Sequence, residues 1–197
     1  MFPFMLFPPA LLQAPTPPPP PGSSGLTPLG RFPIQLDKDT PVAVCTIQVD
    51  LRALRKWVKG ASEAQRGPRG LEFIAQGRVR VWVATEYLVE IGTQRRRRRI
   101  EELLRKAWPT PGEDPMTHPA FMAYLDAACI EINPPDVHGR FIDPQGALWF
   151  QAPGKAWRRF PDAKLAKAYV RSELGNPQQD PQFYAALLKS ISARLAD

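Results

Sequence analysis

Hydrophobic and polar positions change period several times along this chain, and each change marks an element. VAVCTIQV (42–49) is a short run dominated by β-branched residues and predicts a strand. After Asp50, LRALRKWVKG places Leu51, Leu54 and Val58 on one helical face and Arg52, Arg55, Lys56 and Lys59 on the other, with Gly60 as the stop. GLEFIAQG (70–77) predicts a second helix and RVRVWVA (78–84) a second strand. Ile100, Leu103, Leu104 and Ala107 follow the helical template, so a helix is expected from about Thr93 to Trp108, ended by Pro109 and Pro111. HPAFMAYLDAA (118–128) predicts a further helix, and CIEIN (129–133) a short strand. In GRFIDPQGALWFQAPGKAWRRF (139–160), the turn signals DPQG and APGK separate three aromatic-rich segments, the pattern of a small β-meander. Two helices close the chain, one from Asp162 to Leu174 and one with Asp180 as cap and Pro181 at the first helical position.

Proline changes the picture at the other end. Twelve of the 24 prolines lie in residues 1–41, including the run from Pro17 to Pro21, which favours extended polyproline II. Residues 1–41 therefore read as an extended arm, with GSSG (22–25) as its joint. Phe2, Phe4, Met5, Leu6, Phe7, Leu11 and Leu12 form an apolar tip expected to dock on a partner or on the body. Residues 42–197 are expected to form a single globular domain of mixed α/β class, with an α+β arrangement as the alternative and 139–160 as a meander insertion.

Charge adds a functional expectation. The chain carries a formal net charge of +7 at a pI of about 9.7. Residues 51–106 hold 15 basic and 6 acidic side chains, so the excess is concentrated there and the remainder sums to −2. Arg95, Arg96, Arg97, Arg98 and Arg99 would sit at the positive end of the 93–108 helix, where phosphates would satisfy both guanidiniums and free N–H groups. With Arg52, Arg55, Lys56, Lys59, Arg105 and Lys106 they make a candidate nucleic-acid-binding set. Trp149, Phe150, Trp157, Arg158 and Arg159 form a second candidate surface, since aromatics interleaved with arginine suit single-stranded bases. An acidic membrane surface is the second class of polyanion such charge favours.

The remaining chemistry is sparse. Cys45 and Cys129 are far apart and predict reduced thiols, not a disulfide framework. His118 and His138 lack a Cys or His at ligand spacing and read as surface or loop residues. The N-terminus lacks the basic segment of a secretory signal and is too short to span a bilayer, which points to a cytoplasmic setting or a large assembly.

IQVDLRALRKWV (47–58), GRVRVWVATEYLVEI (77–91) and DAKLAKA (162–168), in an order of strand, acid and helix, resemble a PIN domain, the metal-dependent ribonuclease fold. The resemblance implies a three-layer core and places Asp50, Glu90, Asp162 and Asp180 as candidate metal-holding carboxylates, with Mg²⁺ or Mn²⁺ if they converge. Arg52 and the stretch SELGNPQQ depart from the family pattern. The expected function is accordingly nucleic-acid binding by a catalytically degenerate PIN-like domain. The alternatives are an assembly component, such as part of a virion, that uses its arm to bind neighbouring subunits, and a metal-dependent nuclease.

Overall fold

A computed structural model describes residues 18–20, 22–35, 40–178 and 180–196. The apolar tip of the arm, Phe2 to Leu12, lies outside the described residues.

The fold is mixed α/β, a six-stranded antiparallel open sheet with six helices. The strands are β1 (Thr27–Gln35), β2 (Pro41–Val49), β3 (Val81–Tyr87), β4 (Val137–Ile142), β5 (Leu148–Gln151) and β6 (Arg158–Phe160). Their order in the sheet is their order in the chain. The helices are α1 (Leu51–Trp57), α2 (Glu63–Ala75), α3 (Thr93–Lys106), α4 (Pro119–Ala128), α5 (Ala163–Glu173) and α6 (Pro181–Ala196).

Strand alternation decides which side chains go inward. Cys45, Ile47 and Val49 of β2, Val81 and Val83 of β3, Ile142 of β4, and Leu148 and Phe150 of β5 share one face. All six helices contribute to the core on that face, including Leu54, Ile74, Leu104, Tyr124, Tyr169 and Leu187. The opposite face carries a smaller cluster of Trp82, Ala84 and Phe141, flanked by Leu26, Val137, Trp149 and Trp157. The arm reaches this second face, where the Trp157 indole N–H donates to the Pro18 carbonyl at 3.1 Å. Arg80 also donates to the carbonyls of Gly22 and Ser24.

The architecture corrects several expectations. Although α1 and α2 separate them in the chain, β2 and β3 are direct antiparallel neighbours. An all-antiparallel sheet with its strands in chain order does not support a PIN-like three-layer core. Thr27–Gln35 was read within the arm and is instead the edge strand β1, paired with β2. Its Pro28 and Pro33 hid it, and an edge is where a sheet tolerates proline. CIEIN forms no strand; Ile132 makes a single bridge to Ile91. Helix α2 starts seven residues before the expected GLEFIAQG and runs through Gly67, Pro68 and Gly70. The glycines have a packing role: a Cβ on Gly67 would lie 1.9 Å from Ser192 Oγ, and one on Gly70 would lie 3.0 Å from Ile191.

Candidate functional site

The inward face of the sheet is apolar over most of its area but turns polar where β2, β3 and β4 meet α3, α4 and α5. Cys45 on β2 lies opposite Thr85 on β3, and Thr85 lies opposite His138 on β4. Two positions along β4, Arg140 points to the same side, opposite Val83 and next to Phe150. Arg140 is 5% exposed, Arg96 of α3 is 4% exposed and His138 is 0% exposed.

Neutral groups and aromatic faces hold these two guanidiniums. Arg140 donates to Thr85 Oγ1 at 3.0 Å and to the Tyr87 hydroxyl at 3.3 Å, and lies over the rings of Phe150 and Tyr169. Arg96 donates to the Ala128 carbonyl, meets His138 Nδ1 at 3.0 Å and lies over the Tyr87 ring. Tyr87 therefore lies against both cations. Among the described residues no carboxylate lies within ion-pair distance of either one. Glu173 on α5 acts on Arg140 only over a longer range. Burying an unpaired cation costs several kcal/mol even after relaxation, so the arrangement is held at a cost by the rest of the fold.

The hydrogen-bond inventory shows what the cluster lacks. Arg140 Nε, Arg96 Nη1, His138 Nε2 and the Tyr169 hydroxyl are buried without a partner. Arginine only donates, so His138 Nδ1 must accept from Arg96, which leaves the ring proton on Nε2. All four unpartnered groups can thus donate, and the missing partner is an acceptor. The other buried atoms without partners, Gln76 Oε1, Trp82 Nε1 and Gln151 Oε1, lie outside this cluster.

Burial and charge fix the protonation states. Burial first, and then the charges of Arg140 and Arg96, push the His138 pKa down to about 2, so the ring is neutral. Burial pushes the Tyr169 hydroxyl well above its ordinary value, although Arg140 opposes this, and it stays protonated. Burial opposes the charge on Arg140, but the oxygens of Tyr87, Tyr169 and Tyr124, together with Glu173, outweigh it and raise its pKa. The site is therefore cationic and rich in donors. Its chemistry suits an anion with at least two acceptor oxygens.

Of these residues only Arg96 and Phe150 were among the candidates read from the sequence, both as nucleic-acid contacts, and the structure scatters the other candidates. Asp50 caps α1 through Ala53 N–H and pairs with Arg80 at 2.7 Å. Asp162 caps α5 and faces His118, and Asp180 accepts from the Phe183 N–H at the start of α6. Glu90 is exposed before α3. Each sits at the start of a different helix, and among the described residues no group of three or more potential metal ligands is assembled. Of the arginine run, Arg96 is buried, Arg97 pairs with Asp126, and Arg95, Arg98 and Arg99 are exposed. Arg105 pairs with Glu101 and Asp114, and Lys106 with Glu102. Arg52, Arg55 and Lys56 are exposed on α1 and Lys59 in the turn after it; α1 packs on α2 and α6, whereas α3 packs on α4 and α5.

His138 was expected at the surface and is instead fully buried. His118 is half-buried, with Nε2 at 2.7 Å from Glu113 and Nδ1 at 3.4 Å from Asp162. In the meander, Phe150 is core, Trp149 donates to Asp143, and Arg159 pairs with the same carboxylate; Arg158 is exposed. Among the described residues no helix is long and apolar enough to cross a membrane.

Neither protein-family models nor curated proteins match this sequence. Solved structures do match. The crystal structure of an Arabidopsis thaliana fatty-acid binding protein superposes with a TM-score of 0.72 over 88% of this chain and 92% of that one, at 12% identity. Likeness at that identity shows the fold alone. It replaces the PIN resemblance, and with it the nucleic-acid-binding, nuclease and assembly readings lose their support.

Proposed function

We propose that this protein binds an apolar carboxylic acid of the fatty-acid class, with the carboxylate at Arg140. The observation that carries this reading is the set of four buried donors without acceptors around two unpaired guanidiniums. A carboxylate has about four lone-pair sites and one negative charge, so it can accept from Arg140 Nε, the Tyr169 hydroxyl and a neighbouring donor at once. Such charge-assisted bonds are roughly twice as strong as neutral ones, and in the low-dielectric core they offset the cost of the buried cation. The tail would lie among the apolar and aromatic side chains beside Arg140, of which Phe150 and Tyr124 are in edge contact with each other. The fold of a protein described as fatty-acid binding supports the same ligand class.

The test uses the delipidated full chain and follows thermal unfolding with palmitate or hexadecanol, for the wild type and Arg140→Met. Palmitate should raise the midpoint of the wild type, hexadecanol should do so far less, and Arg140→Met should lose the palmitate effect. Equal stabilisation by acid and alcohol, or an undiminished effect in the variant, would remove Arg140 from the role proposed here.

A further inference from the structure

We infer that the α1 face around Trp57 docks this protein on an anionic lipid surface. Trp57 is the one exposed large hydrophobic side chain among the described residues, at 47% exposure. It is held in place: its ring stacks on Phe73 with centroids 5.1 Å apart, and the Arg78 guanidinium lies 5.2 Å from the indole centroid. An indole fixed at a surface is suited to the boundary between acyl chains and headgroups, where its apolar body and polar N–H are both satisfied.

The charge around it complements an anionic headgroup layer. Arg52, Arg55 and Lys56 on α1 and Lys59 in the turn after it flank Trp57 in sequence, and Arg69 and Arg78 lie on or beside α2; all six are exposed. Arg52, Lys56, Lys59, Arg69 and Arg78 make no ion pair with a described carboxylate. Beside Trp57 opens a recess of about 820 Å³, lined by Arg52, Lys56, Arg80 and Asp50, among others. Asp50 compensates Arg80, to which it is paired at 2.7 Å, and leaves Arg52 and Lys56 without an ion-pair partner. A lipid headgroup could therefore enter beside Trp57 against uncompensated cations.

The cations around Trp57 belong to α1, α2 and the turns that follow them, whereas the arginine run belongs to α3, which packs on α4 and α5. A compact cationic patch centred on one anchored indole suits a planar anionic surface. This inference is independent of the Arg140 site, since it would hold whatever the core binds.

Co-sedimentation of the full chain with vesicles provides the test. Phosphatidylcholine vesicles containing roughly one-third phosphatidylglycerol should carry the protein down at low salt, and pure phosphatidylcholine should not. High salt should release it. Trp57→Ser, and separately the pair Arg52→Glu with Lys56→Glu, should each weaken binding about tenfold or more; the charge pair should leave the unfolding midpoint unchanged because both side chains are exposed, whereas Trp57→Ser should lower it by the lost stacking on Phe73. Equal binding to neutral vesicles, no binding to either kind, or wild-type binding by both variants would overturn the inference. So would tighter binding of the same face to a short oligonucleotide that displaces the vesicles.

Discussion

Arg96, the second residue of the five-arginine run, turns into the protein and meets Nδ1 of His138 at 3.0 Å. One member of the most polar segment thus supplies a buried cation. Because Arg96 can only donate, the contact also sets the tautomer of His138 and leaves its Nε2–H buried without an acceptor. Four measurements follow from this arrangement and from the packing around it.

Arg140 should destabilise the unliganded protein. Its charge is buried without a carboxylate, and replacing such a charge by an apolar side chain of similar volume is often neutral or stabilising by about 1–4 kcal/mol. Delipidated Arg140→Leu is expected to melt at the same temperature as the wild type or higher, while losing the stabilisation that palmitate confers. Calorimetry on the two proteins checks this. A lower midpoint with the palmitate effect retained would mean that Arg140 is a structural residue.

Acid should unfold the protein earlier than its neutral core alone would suggest. The folded-state pKa of His138 lies near 2, against an ordinary 6.5, so between those values the unfolded chain binds a proton that the native chain does not. Stability is therefore full above pH 6.5 and falls by about 1.4 kcal/mol per pH unit below it. Glu113 adds to this at lower pH. Hydrogen bonds from Lys164 first, and then from His118, pull its pKa from 4.5 down to about 2, so its contribution is present above 4.5 and is lost as the pH falls toward 2. Denaturant midpoints measured between pH 8 and 5 should show the first slope, and His138→Leu should flatten it even though that variant starts less stable.

Both thiols should be slow to react in the native protein. Burial pushes the Cys45 thiol up to about 12, and burial also raises Cys129. The reactive thiolate is therefore scarce at neutral pH. A thiol-disulfide reagent should titrate neither cysteine quickly until denaturant is added, when both should react. Fast modification of one cysteine in the folded protein would count against the core packing described here.

Gly67→Ala should loosen the α2–α6 contact. Its Cβ would lie 1.9 Å from Ser192 Oγ, so the helices must separate or Ser192 must change rotamer, at a cost of about 1–3 kcal/mol. Pairing it with Ser192→Gly should recover part of the loss. Urea unfolding of the single and double variants measures that recovery, and additive losses would mean that the clash is relieved elsewhere.

Local periodicity carried a good part of the fold. The run VAVCTIQV is β2, Leu51, Leu54 and Val58 face the core from α1 and its C-terminal cap, and the arginine-rich helix ends before Pro109. The site was partly legible as well. Extending the Ile100, Leu103, Leu104 pattern back by four residues reaches Arg96, and alternation along β4 places His138 and Arg140 on the side of Ile142. Nothing local said that these faces were inward, because inward is defined by a partner distant in the chain. Antiparallel pairing put Thr85 beside His138, while α3 and α5 brought in Arg96 and Tyr169 from positions 42 residues before and 31 residues after His138. The sequence by itself thus determined most of the helices and the central strands, though not β1 or the start of α2, and that the chain is basic, since these depend on neighbouring residues and composition. Tertiary structure decided the antiparallel strand order and the burial of two cations without a carboxylate, since both depend on contacts that only long-range packing creates.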